Sequence, residues 1–340
     1  MKTPEHSRDV PLAVTMGCPA GVGPEILCRL AVAGALGDVL VIGDAAVLRQ
    51  AAARLGLSVA LVSRQPGRPV SPGELALVQS GPVLSEPITW GQPNLHTARA
   101  MAGYIEEAVL LVMKGRCSGL VTCPISKSGL HQAGYNYPGH TEMLAALTGT
   151  GTVRMMMAGP RLKVVLATIH VPLREVGSLL DGEDLADCIE LTRLSLQRDF
   201  GITNPRIAVA GLNPHCGEGG LFGDEEARIL SPAIAVAAGR NPTGTVTGPH
   251  SPDTVFYQAA TGRFDAVIAL YHDQGLIPFK LLHFTDGVNV TLGLPLVRTS
   301  VDHGTAYDIA GQNLADPSSL AAALDMAHEI VDNRRRREPA

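Results

Sequence analysis

No stretch of this 340-residue chain is apolar over the length that a membrane span requires. Its first residues, "MKTPEHSRDVPLAV", lack the long apolar segment of a secretory signal. A soluble, cytoplasmic protein with no membrane partner is therefore expected. Positive charge is also scarce. There are 27 Lys and Arg against 32 Asp and Glu, a net charge of −5, so a nucleic-acid partner has no electrostatic support. The basic run "RRRR" at 334–337 reads as a solvated tail. Six cysteines stand at 18, 28, 117, 123, 188 and 216, and no two form C-x-x-C. That excludes a disulfide framework and a structural zinc site, and most of them read as buried apolar fillers. No G-x-G-x-x-G, P-loop or H-E-x-x-H pattern is present; "HEIVD" at 328–332 fails at its last position.

What is present is a regular alternation. "PLAVTMG", "DVLVIGD", "ELALVQ", "SGLVTCP", "LKVVLAT", "RIAVAGLNP", "DAVIALY" and "GVNVTLG" read as strands. They are nearly continuous in aliphatic residues, as when both faces of a sheet are covered. Between them, "PEILCRLAVAGAL", "NLHTARAMAGYIEEAVLLVMKG", "GEDLADCIELTRLSLQRDFG" and "PSSLAAALDMAHEIVDN" have helical spacing. The expectation is an α/β protein with mostly parallel sheets, long enough for two lobes. "RQPGRPVSPGE" (64–74) reads as a surface loop.

Ligands of open parallel sheets gather beyond the carboxyl ends of the strands. Three histidines stand there: His170 after "KVVLATI", His215 after "RIAVAGLNP" and His272 after "AVIALY". Neutral imidazoles in matching positions point to one divalent cation, with positions left open for substrate. Against this stands the plainer reading of three unrelated loop histidines. Asp273 is a candidate partner of His272 or a further ligand. Asp253 in "GPHSPDTVF" is either an acid beside the metal or an ordinary helix start.

"TMGCPAGVGPE" (15–25) reads equally as an anion cradle and as a tight βα turn. "YPGHTE" adds His140 and Thr141 as donors at a helix start. "GLNPHCGEGGLFGDEE" is too Gly-rich for packing alone and reads as a loop lining a site. Lys280, Asn289 and Arg298 lie in apolar surroundings, which favours an anionic substrate such as a phosphate ester over exposed loop cations.

Together, "GCPAGVGPE", "NYPGHTE", "GLNPHCGEGG", "YHDQGLIPFK" and "GVNVTLGLPLVRTSVDHGTAYDIAG" resemble the 4-hydroxythreonine-4-phosphate dehydrogenase (PdxA) family of pyridoxal phosphate synthesis, over about residues 11–330. "DHGTAYDIAG" also resembles the "HGSAPDIAG" cofactor loop of isocitrate and isopropylmalate dehydrogenases. The resemblance implies two α/β/α lobes of that dehydrogenase type, approximately 1–134 with 300–340 and 135–299, with the site in the cleft between them. It implies His170, His215 and His272 as ligands of one divalent metal (zinc, cobalt, magnesium or similar) per subunit. It implies His140, Thr141, Lys280, Asn289 and Arg298 as substrate contacts, and Gly304, Thr305 and Asp308 as contacts to NAD or NADP. Lys280, Asp253 and Asp273 are the candidate catalytic groups. The implied assembly is a homodimer with shared sites. The implied reaction oxidises 4-hydroxythreonine 4-phosphate and releases CO2, leaving 3-amino-2-oxopropyl phosphate.

The chain departs from the family pattern at Cys18, where an acid is usual, and at Cys216, where Ala is common. A lost carboxylate suits a substrate without an ammonium, so 4-phospho-D-threonate or 4-phospho-D-erythronate is the alternative. A metal hydrolase and a bilobal small-molecule binding protein are more remote, since neither needs the "DHGTAYDIAG" loop.

Overall fold

Strands that are aliphatic on both faces belong in the middle of a covered sheet, and that is where they lie. The structure, a computed structural model, describes residues 10–64, 70–81, 84 and 87–337. Its strands are β1 (Leu12–Thr15), β2 (Val39–Gly43), β3 (Ala60–Val62), β4 (Glu74–Gln79), β5 (Leu120–Thr122), β6 (Arg154–Ala158), β7 (Lys163–Leu166), β8 (Arg206–Ala210), β9 (Thr245–His250), β10 (Ala266–Ala269), β11 (Val288–Leu292) and β12 (Arg298–Val301). Every residue of β1, β5 and β10 is buried. Part of the expected 64–74 loop, residues 65–69, lies outside the described residues.

The chain divides into two units, Met1–Gly151 with Leu294–Val331 and Thr152–Gly293 with Asp332–Ala340. The division therefore falls near 151 and 294, not near 134 and 300. The physical reason is local: β12 pairs in parallel with β5, and helix His140–Thr148 packs on helix Leu95–Met113. Residues 135–151 and 294–299 thus belong with the first unit.

In the first unit the strand order is β3-β4-β2-β1-β5-β12, and every pairing is parallel. In the second it is β11-β6-β7-β10-β8-β9. There β6 alone runs against its neighbours β11 and β7, while β7-β10-β8-β9 is parallel. The architecture is mixed α/β with mostly parallel strands, as expected. Helices Val255–Ala260 and His272–Leu282 cover the second sheet, burying Val255, Phe256, Leu276 and Phe279 against Val164, Leu166, Val267 and Ala269. No helix among the described residues is long and apolar enough to cross a membrane.

Four strands were not legible. β6 is "RMMMA", without a β-branched residue; β9 contains Gly248 and Pro249; β12 is the polar "RTSV"; and β3 has only three residues. The basic run is also corrected. Residues 334–337 complete helix Ser318–Arg337 and do not form a loose tail. Arg334 Nε donates to Asp199 Oδ1 at 2.7 Å, and Asn333 Nδ2 donates to the Asp199 carbonyl at 2.9 Å. Asp199 is 2% exposed.

Burial alone would raise the Asp199 carboxyl, but hydrogen bonds from Arg198 and Arg334 hold it below the usual carboxylate range. Its folded pKa is thus depressed. The stabilisation is present above the unfolded pKa and is lost as pH falls through the folded one. Asp199→Asn is predicted to cost about 1–3 kcal/mol at neutral pH. Urea unfolding at stepped pH checks this, and the gap to wild type should close as the pH drops below about 3.

Candidate active site

β7, β10 and β8 are adjacent and parallel, so their carboxyl ends share one edge of the second unit's sheet. The candidate histidines leave that edge within a few residues: His170 after Leu166, His215 after Ala210 and His272 after Ala269. The backbone has been bent to place two of them. His170 (φ 44°) and His215 (φ 50°) are both left-handed, which costs a non-glycine residue about 1–2 kcal/mol. His215 begins a run in which Cys216, Gly217, Glu218, Gly219 and Gly220 also have positive φ. Such strain persists only where the surroundings over-determine it, and it gathers at functional sites.

The surroundings here are specific. Glu226 is buried, and its Oε1 accepts from the Leu212 and Asn213 N–H groups at 2.8 and 2.7 Å. Its Oε2 accepts from Asn213 Nδ2 at 3.0 Å. Glu226 therefore fixes the stem of the His215 loop. Gln274 ties that stem to the neighbouring strand end, donating to the Gly211 carbonyl and accepting from the Leu270 N–H, each at 2.7 Å. Gln274 lies two residues after His272, so the His215 and His272 segments are held by one side chain. Glu226 and Gln274 were missed in the sequence, because neither spacing nor composition distinguishes them from ordinary helix residues.

His272 opens helix His272–Leu282, and its Nδ1 lies 2.6 Å from Asp273 Oδ1. With the Asp273 carboxylate as acceptor, the Nδ1–H tautomer of His272 leaves Nε2 for another partner. The His170 and His272 rings are 5.7 Å apart. Both line a cavity of about 960 Å³, with Asp253, Asp273, Arg161 and Tyr257 on the same wall. Asp253 does not cap the helix behind it: Thr254 is the N-cap, and Asp253 Oδ1 instead accepts from Ser251 Oγ at 2.7 Å. Cys216 feels this acid: burial first, then the charges of Glu226 and Asp253, push its thiol up. Lys280 is not on that wall. It stands eight residues after His272, about 12 Å along the helix axis. Among the described residues no three His, Cys, Asp or Glu side chains gather closely enough in one chain to hold a metal. The donor set of His170 and His272 suits a divalent ion but is incomplete by itself.

The substrate candidates divide between the units. In the first, His140 heads helix His140–Thr148 with Thr141 beside it, and the N-cap Gly139 supplies no side-chain cap. Arg298 opens β12, is 3% exposed and donates to Thr122 Oγ1 at 2.9 Å. Burial lowers the Arg298 pKa to about 10, partly countered by Glu142. Burial, then the Arg298 charge, holds the His140 ring well below its ordinary value. His140 is therefore neutral, and its buried Nε2 has no hydrogen-bond partner. A buried cation beside an unsatisfied imidazole is a place prepared for an anion. In the second unit, Asn289 on β11 leaves its buried Oδ1 without a partner.

The glycine-rich turn at 17–22 serves the chain itself. The Gly21 N–H donates to the Cys18 carbonyl and the Val22 N–H to the Thr305 carbonyl. Of the two readings of that turn, the tight βα turn is the one built, and it holds the candidate cofactor loop. In that loop Gly304 and Asp308 are exposed and Thr305 is half-buried. A side chain added at Gly304 would meet nothing within 4 Å, so its backbone is open to a ligand. Cys18 is buried and accepts from the Tyr307 hydroxyl at 3.2 Å. The other cysteines are free as expected, and only Cys216 is part-exposed.

Parallel strands with histidines at one carboxyl edge, and a buried Arg298 beside the unsatisfied His140, are the arrangement of an α/β enzyme that takes an anionic substrate. A family model described as "Pyridoxal phosphate biosynthetic protein PdxA" matches residues 35–327. The chain is 54% identical to the 4-hydroxythreonine-4-phosphate dehydrogenase of Desulfosudis oleivorans over 321 residues, covering 93% of this chain and 94% of that one. It is 48% identical to the enzyme of that name from Desulforapulum autotrophicum, covering 93% and 94%. The crystal structure of the Klebsiella pneumoniae 4-hydroxythreonine-4-phosphate dehydrogenase matches with a TM-score of 0.86 at 41% identity, covering 96% and 99%. The chain belongs to the PdxA family. None of these three relatives is named for a phosphorylated sugar acid, so that alternative is not favoured.

Removing the Glu226 carboxylate would strand donors in a buried stem. Glu226→Ala is predicted to lower unfolding free energy by about 2–3 kcal/mol and to speed proteolysis within 214–220. Urea titration and limited digestion check both.

Proposed function

We propose that this chain oxidises 4-hydroxythreonine 4-phosphate with NAD or NADP and releases its carboxylate as CO2, in the making of pyridoxal phosphate. The names carried by its relatives support the substrate. The observation that carries the chemistry is the cavity wall on which His170, the Asp273-oriented His272 and Asp253 stand together.

The chain's own residues divide the work. His170, His215 and His272 would hold the divalent cation, and Asp273 keeps the His272 Nε2 lone pair available. When bound, such a cation makes the substrate hydroxyl easier to deprotonate and steadies negative charge as CO2 departs. Arg298 and His140 of the first unit take the phosphate, helped by Thr141. His140, held neutral beside Arg298, still carries one ring N–H that can donate a hydrogen bond to the phosphate. Between Lys280 and Asp253 as proton acceptor, Asp253 is the better placed within one chain, since it lines the cavity. Gly304, Thr305 and Asp308 receive the nicotinamide cofactor, which supplies hydride acceptance.

A second copy completes the site in this reading. Ile277 and Leu281 are 68% and 85% exposed on the helix that begins with His272, and Tyr257 is 74% exposed. All three line the histidine cavity. An apolar rim of this kind marks a face that another surface covers, and a homodimer brings the further histidine that one chain does not gather. The cytoplasm, with its supply of nicotinamide cofactor, is the location we assign.

His215→Ala is predicted to abolish NADH formation at any metal concentration, and near-normal turnover would overturn the metal assignment. Arg298→Met is predicted to raise KM for the phosphate ester by about ten-fold to a hundred-fold. Steady-state kinetics against substrate concentration measures it.

A further inference from the structure

The candidate cofactor loop is tied down from within by a carboxylate that no step of the reaction uses. Glu25 lies in the first turn of helix Gly23–Ala33 and is 1% exposed. Its Oε2 accepts from the Gly311 N–H and its Oε1 from the Ala315 N–H, each at 3.1 Å. Both donors are nearly three hundred residues away along the chain, past the exposed Gly304 and Asp308. Arg29, one turn further along the helix, lies 3.6 Å from Glu25 Oε1 and donates to the Asn313 carbonyl and, at 2.6 Å, to Asn313 Oδ1. Arg54 Nε donates to the Gly311 carbonyl at 2.6 Å.

The outer side of the same loop is confined sterically. A Cβ at Gly311 (φ +71°) would fall 2.7 Å from Trp90 Cγ. A Cβ at Gly91 would fall 2.5 Å from the Tyr307 carbonyl oxygen, and one at Gly21 2.9 Å from the Thr305 carbonyl oxygen. The loop therefore has little freedom at its base, while Gly304 and Asp308 face outward. A buried carboxylate is costly unless its oxygens accept hydrogen bonds. Glu25 finds its bonds in the loop's backbone, and the start of its own helix favours its negative charge.

From this we infer that Glu25 is a positioning residue for the nicotinamide cofactor, acting through the 304–315 loop. The inference rests on Gly304, Thr305 and Asp308 being cofactor contacts, as proposed above. Glu25→Gln is close to isosteric, but it replaces one acceptor oxygen with an NH2 that faces a backbone N–H. One of the two ties must open, and the loop loses its fixed shape before the cofactor binds.

The chain's only tryptophan, Trp90, packs on Gly311, so its fluorescence reports on the loop directly. The experiment titrates NAD into the full-length wild type and into Glu25→Gln, reading Trp90 emission, and measures kcat, KM for NAD and KM for substrate in both. The expected result is a Kd and KM for NAD raised about ten-fold or more, with kcat at saturating NAD and KM for substrate changed by less than about three-fold. Unchanged NAD affinity would overturn the inference. Loss of NAD and substrate affinity in equal measure, with a lowered Tm, would overturn it too, since that marks a structural role. If Glu25→Gln does not fold, Arg29→Met loosens the same loop at Asn313 and must show the same selective loss of NAD affinity. Asp308→Ala separates the two levels. NAD affinity unchanged there sinks the cofactor-loop reading, whereas a loss there with none in Glu25→Gln sinks only the role of Glu25.

Discussion

There is no room for a side chain at position 275. A Cβ on Gly275 would lie 2.6 Å from Val164 Cγ1 and 3.0 Å from Ala269 Cβ. The helix His272–Leu282 can therefore lie directly against β7 and β10. That close approach sets where His272 emerges and brings its ring within 5.7 Å of His170. Gln274, one residue earlier, then ties the start of this helix to Gly211 at the end of β8. The candidate site of the second unit depends on this contact: strand ends supply the histidines, and a bare glycine brings the helix close enough for His170 and His272 to line one cavity.

The first unit uses the same economy on polar groups. Its buried charges each hold backbone or lie against a polar neighbour. Asp44 caps helix Ala45–Leu55 through the Ala46 and Val47 N–H groups. Glu25 restrains the 304–315 loop, and Arg298 sits beside the unsatisfied His140. The Gly-rich turn at 17–22 gives the Cys18, Gly21 and Val22 N–H groups to the chain's own carbonyls, which leaves the His140 helix and the buried arginine as the candidate anion pocket of this unit.

The strand ends were legible because aliphatic runs followed by His are a local pattern, and β7, β8 and β10 lie where such runs stand. The helix after His272 was not, since Gly275 and Pro278 are both poor helix formers and burial against β7 and β10 overrides their preference. The strained loop at His215 was visible only as an excess of glycine; its anchor Glu226 looks like any acid beside a helix. Glu25 was hidden in the same way, since an acid in a first helical turn has an ordinary local explanation, while its partners Gly311 and Ala315 lie far along the sequence. Arg334 was misread as part of a tail because its partner, Asp199, is equally remote.

The measurement that bears most directly on this account is NADH formation from 4-hydroxy-L-threonine phosphate by the purified protein, before and after chelation and again with a divalent cation restored. The account predicts turnover that chelation abolishes and the cation restores. Equal rates of NADH formation with and without the chelator would contradict it, because the histidines at the carboxyl edge of β7, β8 and β10 would then have no part in the reaction.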